Sequence, residues 1–507
     1  MQRRPRRARE PAQIGGAWIG RGPLRNSFPP LSPLSLDQIE AIHEASLRIL
    51  EEIGIEFQGA AACELLREAG AMVEVNSGLT RIPREVVLGA LKTAPASFVL
   101  TPRNPARAIH VGGDHVSFGL VAGPPNVHDA INGRRPGSYA DYTNLIKLAQ
   151  SFDIIHFIGN QPTAPQELPA RTRHLDCYLA DILYSDRIYH CTAIGRERAL
   201  DGIDMMALSR GLTREQLAES PGVLTIISVN SPRRFDAAMS DGLMAMSECG
   251  QAVVVTPFTL MGAMAPVSLA AALTQQNAEA LAGITLSQLT RAGAPVVYGA
   301  FTSDVDMKSG APAFGTPENA RATIACGQMA RFYKLPYRAS NSSASNAVDA
   351  QAAYESQMSI WSSVMAHANL VYHGAGWMEG GLTASFEKIV LDVEMLQMIA
   401  ETIQPFAVAP EDIAFDAIAS VPPGGHFFGA AHTLERFETA FYRPMVSDWR
   451  SYETWKADGA KDATQRATAI WQRALERYQQ PALDPAIQEA LEAHVARRKE
   501  VLKSVDH

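Results

Sequence analysis

A glycine-rich stretch at residues 369–392, NLVYHGAGWMEGGLTASFEKIVLD, joins a short apolar run to a segment with a helical pattern. Between the two stand His373, Trp377 and Glu379, interspersed with four glycines. A histidine or a glutamate can transfer protons, and the face of a tryptophan ring attracts cations. Because these groups directly follow an apolar run, they predict a functional loop at the end of a buried strand.

Seven further apolar runs end in the same way, in polar or glycine residues that precede a helical pattern. Strands that are apolar on both faces and separated by helices form parallel sheets. Eight strand–helix units are typical of a (β/α)₈ TIM barrel of the α/β class. An open doubly wound sheet is disfavoured by the unit count and by the lack of GxGxxG after the first strand. The eight runs cover residues 115–123, 153–161, 187–195, 222–230, 251–258, 295–303, 336–341 and 369–376.

The carboxyl ends of the strands, where barrel enzymes place their sites, carry mostly uncharged polar and aromatic residues. No lysine stands at a strand end to form a Schiff base, and one histidine is too few for a metal hydrolase. For glycoside hydrolysis, which needs two facing carboxylates, only Glu379 and the pair Asp304 and Asp306 are available. A phosphate site on the glycines would lack a neighbouring Arg or Lys. We therefore predict no metal site.

An aromatic cup lined with amides suits a quaternary ammonium group, which donates no hydrogen bonds and is held by aromatic faces. For each aromatic residue, the competing interpretation is that the side chain only fills the core. For His373, it is a buried histidine whose hydrogen bonds are made within the core. Trp377, in a glycine-flanked loop, is the hardest of these residues to explain by packing alone.

Composition narrows the class of protein. The chain has 507 residues and a net charge of −8, and no basic stripe in its body indicates nucleic-acid binding. Residues 1–35 hold seven Arg against one Glu and predict a disordered basic tail. No apolar segment follows these arginines, so we expect no secretory signal. Five dispersed cysteines without CxxC spacing suit a reducing cytoplasm.

The uncharged run from residue 249 to 278 is long enough to be tested as a membrane span. Pro257 and Pro266 interrupt it, with β-branched residues at its front and alanines at its back. A buried strand, a loop and a helix explain this run better, and we expect no contact with a membrane.

Three folded parts follow the tail in this interpretation. Residues 36–111 predict a small α+β unit that begins with a capping box at Ser35 and Gln38. Residues 112–404 form the barrel, and residues 405–507 form a mostly helical extension. We expect a homo-oligomer, since large barrels often associate.

Three long runs are similar to the trimethylamine:corrinoid methyltransferase family. They begin with YGAFTSDVDMKSGAPAFGTPENARATIACG (298–327), HGAGWMEGGLTASFEKIVLDVEMLQM (373–398) and GGHFFGAAHTLERF (424–437). The resemblance covers about residues 35–500 and implies a TIM barrel that transfers a methyl group from an amine to the cobalt of a separate corrinoid protein. Archaeal trimethylamine members carry pyrrolysine. This chain has standard residues only, and it resembles the branch that acts on quaternary amines such as glycine betaine.

For this reaction, we assign tasks to the strand-end residues and their neighbours as hypotheses. Trp377, Tyr298, Phe258 and Phe301 would form the ammonium cage. His373, Asn341 and Arg338 would bind a substrate carboxylate, and Glu379 would shape the loop or offer charge to the cation. The remaining predicted residues orient the substrate, namely Asn160, Gln161 and Asn230, or form the rim that admits the corrinoid, namely Gly374 and Gly376. We expect a cytoplasmic partner protein to supply the corrinoid, and we expect this chain to bind no cofactor of its own.

Two other functions remain open at this point. A barrel lyase or hydrolase for a small polar substrate would work without a corrinoid partner. A non-catalytic betaine-binding protein would bind the ligand and release no demethylated product.

Overall fold

The computed structural model describes residues 22–504, and residues 36–112 form a small α+β unit. Ser35 caps the first helix and forms the predicted capping box with Gln38. The last two strands of the unit pair as an antiparallel hairpin. In chain order its elements are α1 (Leu36–Arg48), a π-helical turn (Ile49–Ile53), β1 (Ile55–Phe57), α2 (Ala60–Glu68), β2 (Met72–Val73), β3 (Leu79–Arg81), α3 (Arg84–Thr93), β4 (Ser97–Leu100), a 3-10 turn (Pro105–Arg107) and β5 (Ile109–Gly112).

The segment before α1 packs against the barrel. Leu24 and Asn26 are buried, and the Asn26 side chain donates a hydrogen bond to the Val364 carbonyl at 2.8 Å. The prediction of a disordered tail is therefore wrong for residues 22–35, because the sequence does not show that these apolar and amide groups have partners far along the chain. The rest of that prediction, residues 1–21, lies outside the described residues.

The barrel segment alternates strands and helices from residue 117 to residue 402. Each of the eight predicted apolar runs contains one barrel strand. The elements are β6 (Ser117–Leu120), β7 (Asn126–Asp129), β8 (Gly133–Pro136), α4 (Tyr139–Ser151), β9 (Phe157–Ile158), α5 (Arg173–Tyr184), β10 (Ile188–His190), α6 (Arg196–Arg210), α7 (Arg214–Glu219), β11 (Val223–Val229), β12 (Arg234–Phe235), α8 (Ala237–Glu248), β13 (Ala252–Met261), α9 (Leu269–Thr290), β14 (Val296–Gly299), β15 (Phe301–Val305), β16 (Pro312–Ala313), α10 (Pro317–Phe332), β17 (Tyr337–Ser340), α11 (Ala350–Met365), β18 (Leu370–Ala375), β19 (Trp377–Met378), a 3-10 turn (Glu379–Gly381), β20 (Thr383–Ser385) and α12 (Phe386–Thr402).

Eight parallel strands close the barrel in the order β6, β9, β10, β11, β13, β14, β17 and β18. The last strand pairs with the first, with Leu370 opposite Ser117, so the sheet has no free edge. The predicted (β/α)₈ barrel is confirmed. The uncharged run 249–278 forms the strand β13, a loop and the first part of the helix α9, as predicted.

Alternate residues along each strand point into the barrel or out toward the helices. The interior is an apolar plug made with the β4–β5 hairpin, which lies across the amino-terminal end of the strands. This end of the barrel is therefore sealed by side chains. The plug consists of Leu100, Ile109, Val111, Phe157, Ile188, Leu224, Ala252, Val254, Val297, Leu370 and Tyr372.

The described residues after 404 are mostly helical. The two long helices at the end pack on the barrel helices, one against α12 and α4 and the other against α5 and α6. Among residues 22–504 no helix is long and apolar enough to cross a membrane. The elements are α13 (Pro410–Ile413), α14 (Phe415–Ala419), a 3-10 turn (Phe427–Gly429), α15 (Ala431–Arg436), α16 (Tyr452–Ala457), α17 (Ala463–Glu476) and α18 (Pro485–Ser504).

Candidate active site

A cavity of about 820 Å³ opens at the carboxyl ends of the barrel strands. It lies on the opposite side of the apolar plug from the β4–β5 hairpin. A small sheet of β7, β8, β19 and β20 stands beside it. Seven of the residues predicted from the sequence line the cavity: Asn160, Asn230, Phe258, Phe301, Arg338, His373 and Trp377.

His373 faces the cavity because of an irregularity in β18. The register between β18 and β6 shifts between Val371 and Ala375, and His373 has a φ of +55°. In a regular strand His373 would point away from the barrel, because its neighbour Tyr372 already points inward. A bulge of this kind re-aims a side chain. A non-glycine residue in the left-handed region is strained, and here the strain turns the histidine toward the cavity.

Aromatic rings form one wall of the cavity. The imidazole of His373 stacks on Trp377 with 5.3 Å between ring centroids. The ring of Phe301 contacts Trp377 edge-to-face, with 5.9 Å between centroids. It also contacts the tilted ring of Phe258, with 5.2 Å between centroids. Behind them, the buried Phe314 contacts both Phe301 and Trp377. Sequence reasoning missed Phe314 because it lies in a loop between β16 and α10 and not at a strand end.

Arg338 places a positive charge at the bottom of the cavity. Its side chain is buried, it donates a hydrogen bond to the Ala300 carbonyl at 3.1 Å, and its guanidinium lies over the rings of Phe301 and Tyr372. Burial lowers the pKa of Arg338 to about 10, so the group is still a cation at neutral pH. Among the described residues it forms no ion pair with a carboxylate, and its Nε has no hydrogen-bond partner.

Next to this cation, His373 presents a second donor. The backbone N–H of Ala122 donates to its Nδ1 at 3.2 Å, and its Nε2 lies 3.5 Å from Nη2 of Arg338. Burial, together with the nearby Arg338 charge, holds the pKa of His373 well below its usual range. The ring is thus neutral, with its proton assigned to Nε2 by the Ala122 contact. Two N–H groups converge where only an acceptor satisfies both.

His190 and Thr256 also line the cavity, and the site prediction from sequence omitted them. His190 accepts the N–H of Ile226 on Nε2 at 2.7 Å, and burial lowers its pKa to about 3. The strand-end rule that selected Asn160 would have selected His190, which ends β10. Within the described part of the chain, no three His, Cys, Asp or Glu side chains are grouped to hold a metal ion.

Two predicted residues belong to the packing around the barrel and not to the cavity. Tyr298 points outward from β14, and its hydroxyl lies within hydrogen-bonding distance of the side-chain oxygens of Gln276 and Asn277 in α9. The alternation of the strand decides this, because Val297 takes the inward position. Asn341 is buried and donates from its amide to the Gly374 carbonyl at 3.2 Å, which ties β17 to β18. The prediction that Tyr298 contributes to an ammonium cage is therefore wrong.

The residues of the glycine loop that line the cavity differ from those predicted. Glu379 turns away from the cavity, and its carboxylate accepts from Arg134 of β8 at 2.9 Å. Gly374 and Gly376 lie in packed backbone, and a Cβ at Gly376 would stand 2.5 Å from Ile389. The loop residues that line the cavity are Gly380 and Gly381. A sequence cannot show which side of a flexible loop faces a site.

Gln161 lies beside the cavity, and its backbone supports a neighbour. Its N–H donates to the side-chain oxygen of Asn160 at 2.8 Å, and the same oxygen accepts from the Thr192 hydroxyl at 2.7 Å. Asn160 is held in place by these two donors, whereas the Gln161 side chain is not among those that line the cavity.

Comparison with known proteins identifies the class. Residues 2–503 match the family described as trimethylamine methyltransferase. The chain is 38% identical to a glycine betaine methyltransferase of Desulfitobacterium hafniense over 94% of this chain and 98% of the relative. It is 31% identical to a trimethylamine methyltransferase of the same species over 86% of this chain and 88% of the relative.

The chain therefore belongs to the trimethylamine methyltransferase family, and the protein is a methyltransferase. Its fold is shared with the solved monomethylamine methyltransferase of Methanosarcina barkeri, with a TM-score of 0.52 and 9% identity. That match covers 89% of this chain and 90% of the other.

Proposed function

We propose that the protein transfers a methyl group from glycine betaine, or a closely similar betaine, to the cobalt(I) of a separate corrinoid protein. The observation that carries this proposal is Arg338, a buried cation without a carboxylate partner in the described chain, beside an aromatic wall. A betaine has both complementary parts, a carboxylate for the donors and a quaternary ammonium for the rings. Trimethylamine has no carboxylate.

The carboxylate end of the substrate accepts from Arg338 and from the Nε2–H of His373. Hydrogen bonds between a charged donor and a carboxylate are about twice as strong as neutral ones. They compensate the burial of the guanidinium, which the described residues leave without a counter-charge. His373 serves here as a neutral donor, because its lowered pKa keeps it from becoming a second cation.

The ammonium end lies against Trp377, Phe301 and Phe258. Each cation–aromatic contact is worth about 0.5–2 kcal/mol, more where water is excluded. The wall is rigid because Phe314 supports it from behind. Positioning of this kind is the main demand of the reaction, since the methyl carbon must lie in line with the cobalt and the departing nitrogen.

The chemistry requires no acid or base from the protein. The cobalt(I) acceptor supplies the electron pair of the new Co–C bond, and the C–N pair stays on nitrogen, which leaves as a neutral tertiary amine. No proton is transferred, which agrees with a cavity whose two histidines are neutral. The positive charge on nitrogen disappears in the transition state, so moderate cation binding favours turnover over a tighter cage.

The test is an anaerobic methyl-transfer assay of the purified chain with a cobalt(I) corrinoid protein, followed by the visible spectrum of methylcobalt(III). Glycine betaine, choline and trimethylamine are compared at equal concentration. We expect signal with glycine betaine and much less with the other two. Equal signal with trimethylamine would contradict the assigned role of Arg338. Betaine binding without any methylcobalt(III), using an acceptor shown to be competent, would favour a binding protein.

A further inference from the structure

Glu279, in the middle of α9, is a buried carboxyl group that the proposed reaction does not use. Its side chain is fully buried. Burial raises the pKa of Glu279, and hydrogen bonds from Ser231, Arg233 and Gln275 oppose that rise. A carboxyl group at this depth costs free energy unless donors surround it. The segments that supply these donors therefore indicate what the residue does.

Two of the donors belong to the loop between β11 and β12. The Ser231 hydroxyl donates to Oε2 of Glu279 at 2.5 Å, and the backbone N–H of Arg233 donates to Oε1 at 2.8 Å. Arg233 has a φ of +57°, and a non-glycine residue in this region persists only where its surroundings hold it. Glu279 thus fixes the backbone of this loop as well as one of its side chains.

The third donor links Glu279 to the loop between β13 and α9. Gln275 lies one turn before Glu279 on α9. Its side-chain amide donates to Oε1 of Glu279 at 3.0 Å and to the Met264 carbonyl at 2.8 Å. Two loops that are distant in sequence are therefore fastened, directly or through Gln275, to one buried carboxyl group.

Both loops lie at the mouth of the cavity, across from the aromatic wall. Ser231 and Met264 line the cavity, and Val267 of the second loop is 73% exposed. In the closed barrel, β11 stands four places from β18 in either direction around the sheet. The loop after β11 therefore faces His373 of β18 across the cavity.

The size of the cavity indicates what meets these loops. A volume of about 820 Å³ is typical of pockets for drug-sized ligands, and glycine betaine is far smaller. A betaine held by Arg338 and Trp377 occupies the side of the cavity near β17 and β18. A methyl group that points away from the aromatic rings then points into the remaining space, toward the two loops. The acceptor has to reach the methyl group through this space.

We propose that Glu279 is a positioning residue for the methyl acceptor, because it holds the loops after β11 and β13 where the acceptor docks. The inference rests on the proposed function for the identity of the acceptor and on the contacts above for the anchor. Loss of the anchor should weaken the use of the acceptor and leave the binding of the amine intact.

The kinetic test compares E279A with the control E394A. Glu394 of α12 is a buried carboxylate that accepts in the same way from the backbone N–H groups of residues 445–447, which do not line the cavity. In E279A the KM for the corrinoid protein should rise about tenfold, the cost of ordering one or two further side chains on docking. The Kd for glycine betaine, from calorimetric titration without acceptor, should not change. E394A should lower the Tm and change neither constant, whereas a merely structural role for Glu279 would make the two variants alike.

Amide hydrogen exchange tests the anchor without amine or acceptor. Peptides that cover residues 229–236 and 262–268 should exchange faster in E279A than in the unmodified protein. Q275A leaves the carboxyl group and its bonds to the first loop in place, so only residues 262–268 should exchange faster and the acceptor KM should rise by less. E279Q, whose amide oxygen still accepts from the Arg233 N–H, should recover most of the acceptor KM.

The outcomes separate this inference from the proposed function. Absence of methylcobalt(III) from the unmodified protein with a competent acceptor would overturn both. An active unmodified protein would overturn this inference alone if E279A and Q275A left the acceptor KM or the exchange of both loops unchanged, or if E279A weakened amine binding as much as it raised the acceptor KM.

Discussion

Arg338 is a buried cation for which the described part of the chain supplies no counter-charge. Burial of a charge without a partner costs free energy, which the carboxylate of the proposed substrate would offset. His373 is the matching case of a neutral ring, turned inward by strained backbone. Under the proposed function, these residues bind and orient the substrate, and the two donors favour a substrate with an acceptor at one end.

Replacement of Arg338 by glutamine should weaken betaine binding and leave stability intact. A hydrogen bond from a charged donor contributes about 1.5–3 kcal/mol, so the Kd for glycine betaine should rise roughly 10- to 100-fold. The Tm should not fall, because the variant removes a desolvated charge. Calorimetric titration and thermal unfolding measure the two effects. Choline, which has no carboxylate, is the control ligand, and an equal loss of choline binding would contradict the assignment.

Trp377→Leu should weaken the binding of glycine betaine and choline alike. The variant keeps an apolar group beside Phe301 and removes the ring face that attracts the ammonium. We expect about a tenfold rise of both Kd values, consistent with 0.5–2 kcal/mol for one cation–aromatic contact. The matched variant Trp449→Leu alters an indole that is 74% exposed and far along the chain, and it should change neither value.

The strand β18 and the glycine loop after it position the site at the scale of elements. The bulge between Val371 and Ala375 brings two successive side chains to the inner surface. Asp392 of α12 then accepts the N–H of Gly376 at 2.8 Å and forms a buried ion pair with Lys388. The helix α12 thereby fixes the loop from below, just before Trp377.

A methyl group at Gly381 should displace the aromatic wall. A Cβ there would lie 2.7 Å from the Trp377 ring, and the residue has a φ of +97°. Gly381→Ala should therefore raise the KM for the amine more than it lowers kcat. Gly293 has a similar φ of +80° but open space around it, so Gly293→Ala carries the backbone strain without the clash. An unchanged KM in Gly381→Ala would show that the indole is not fixed by this contact.

For the whole molecule, buried neutral histidines link stability to pH. Burial lowers the pKa of His156 and of His190 to about 3, and His373 is shifted in the same direction. The unfolded chain binds protons at these histidines below about pH 6.5, whereas the folded chain does not. Stability is thus fully present above pH 6.5 and falls as the pH decreases toward 3.

Urea unfolding between pH 7.5 and 5.5 tests this linkage. Each of these histidines should remove roughly 1.4 kcal/mol of unfolding free energy per pH unit below its unfolded pKa. His156→Asn should make the dependence shallower by about one proton. A pH-independent free energy across this range would contradict the assigned neutral states.

The barrel was predictable because each of its strands is apolar on both faces and each is followed by a helical segment. The site was predictable in part. Strand ends gave Asn160, Phe258 and Phe301, but Tyr298 also stands at a strand end and its register turns it outward. The bulge that brings His373 inward and the exposure of residues 405–441 depend on packing between distant segments. Neither feature changes the spacing of apolar residues, so the sequence pattern does not predict them.

The apolar plug at the sealed end of the barrel has a kinetic consequence for the proposed reaction. The plug closes the other end of the barrel, so the cavity opens at the carboxyl ends of the strands. A corrinoid protein large enough to present its cobalt there would cover that opening. The amine would then have to enter before the acceptor docks, and the demethylated product could leave only after the acceptor departs. Initial-rate measurements should show a compulsory order, with inhibition at high acceptor concentration that a higher amine concentration relieves, because both bind the free enzyme.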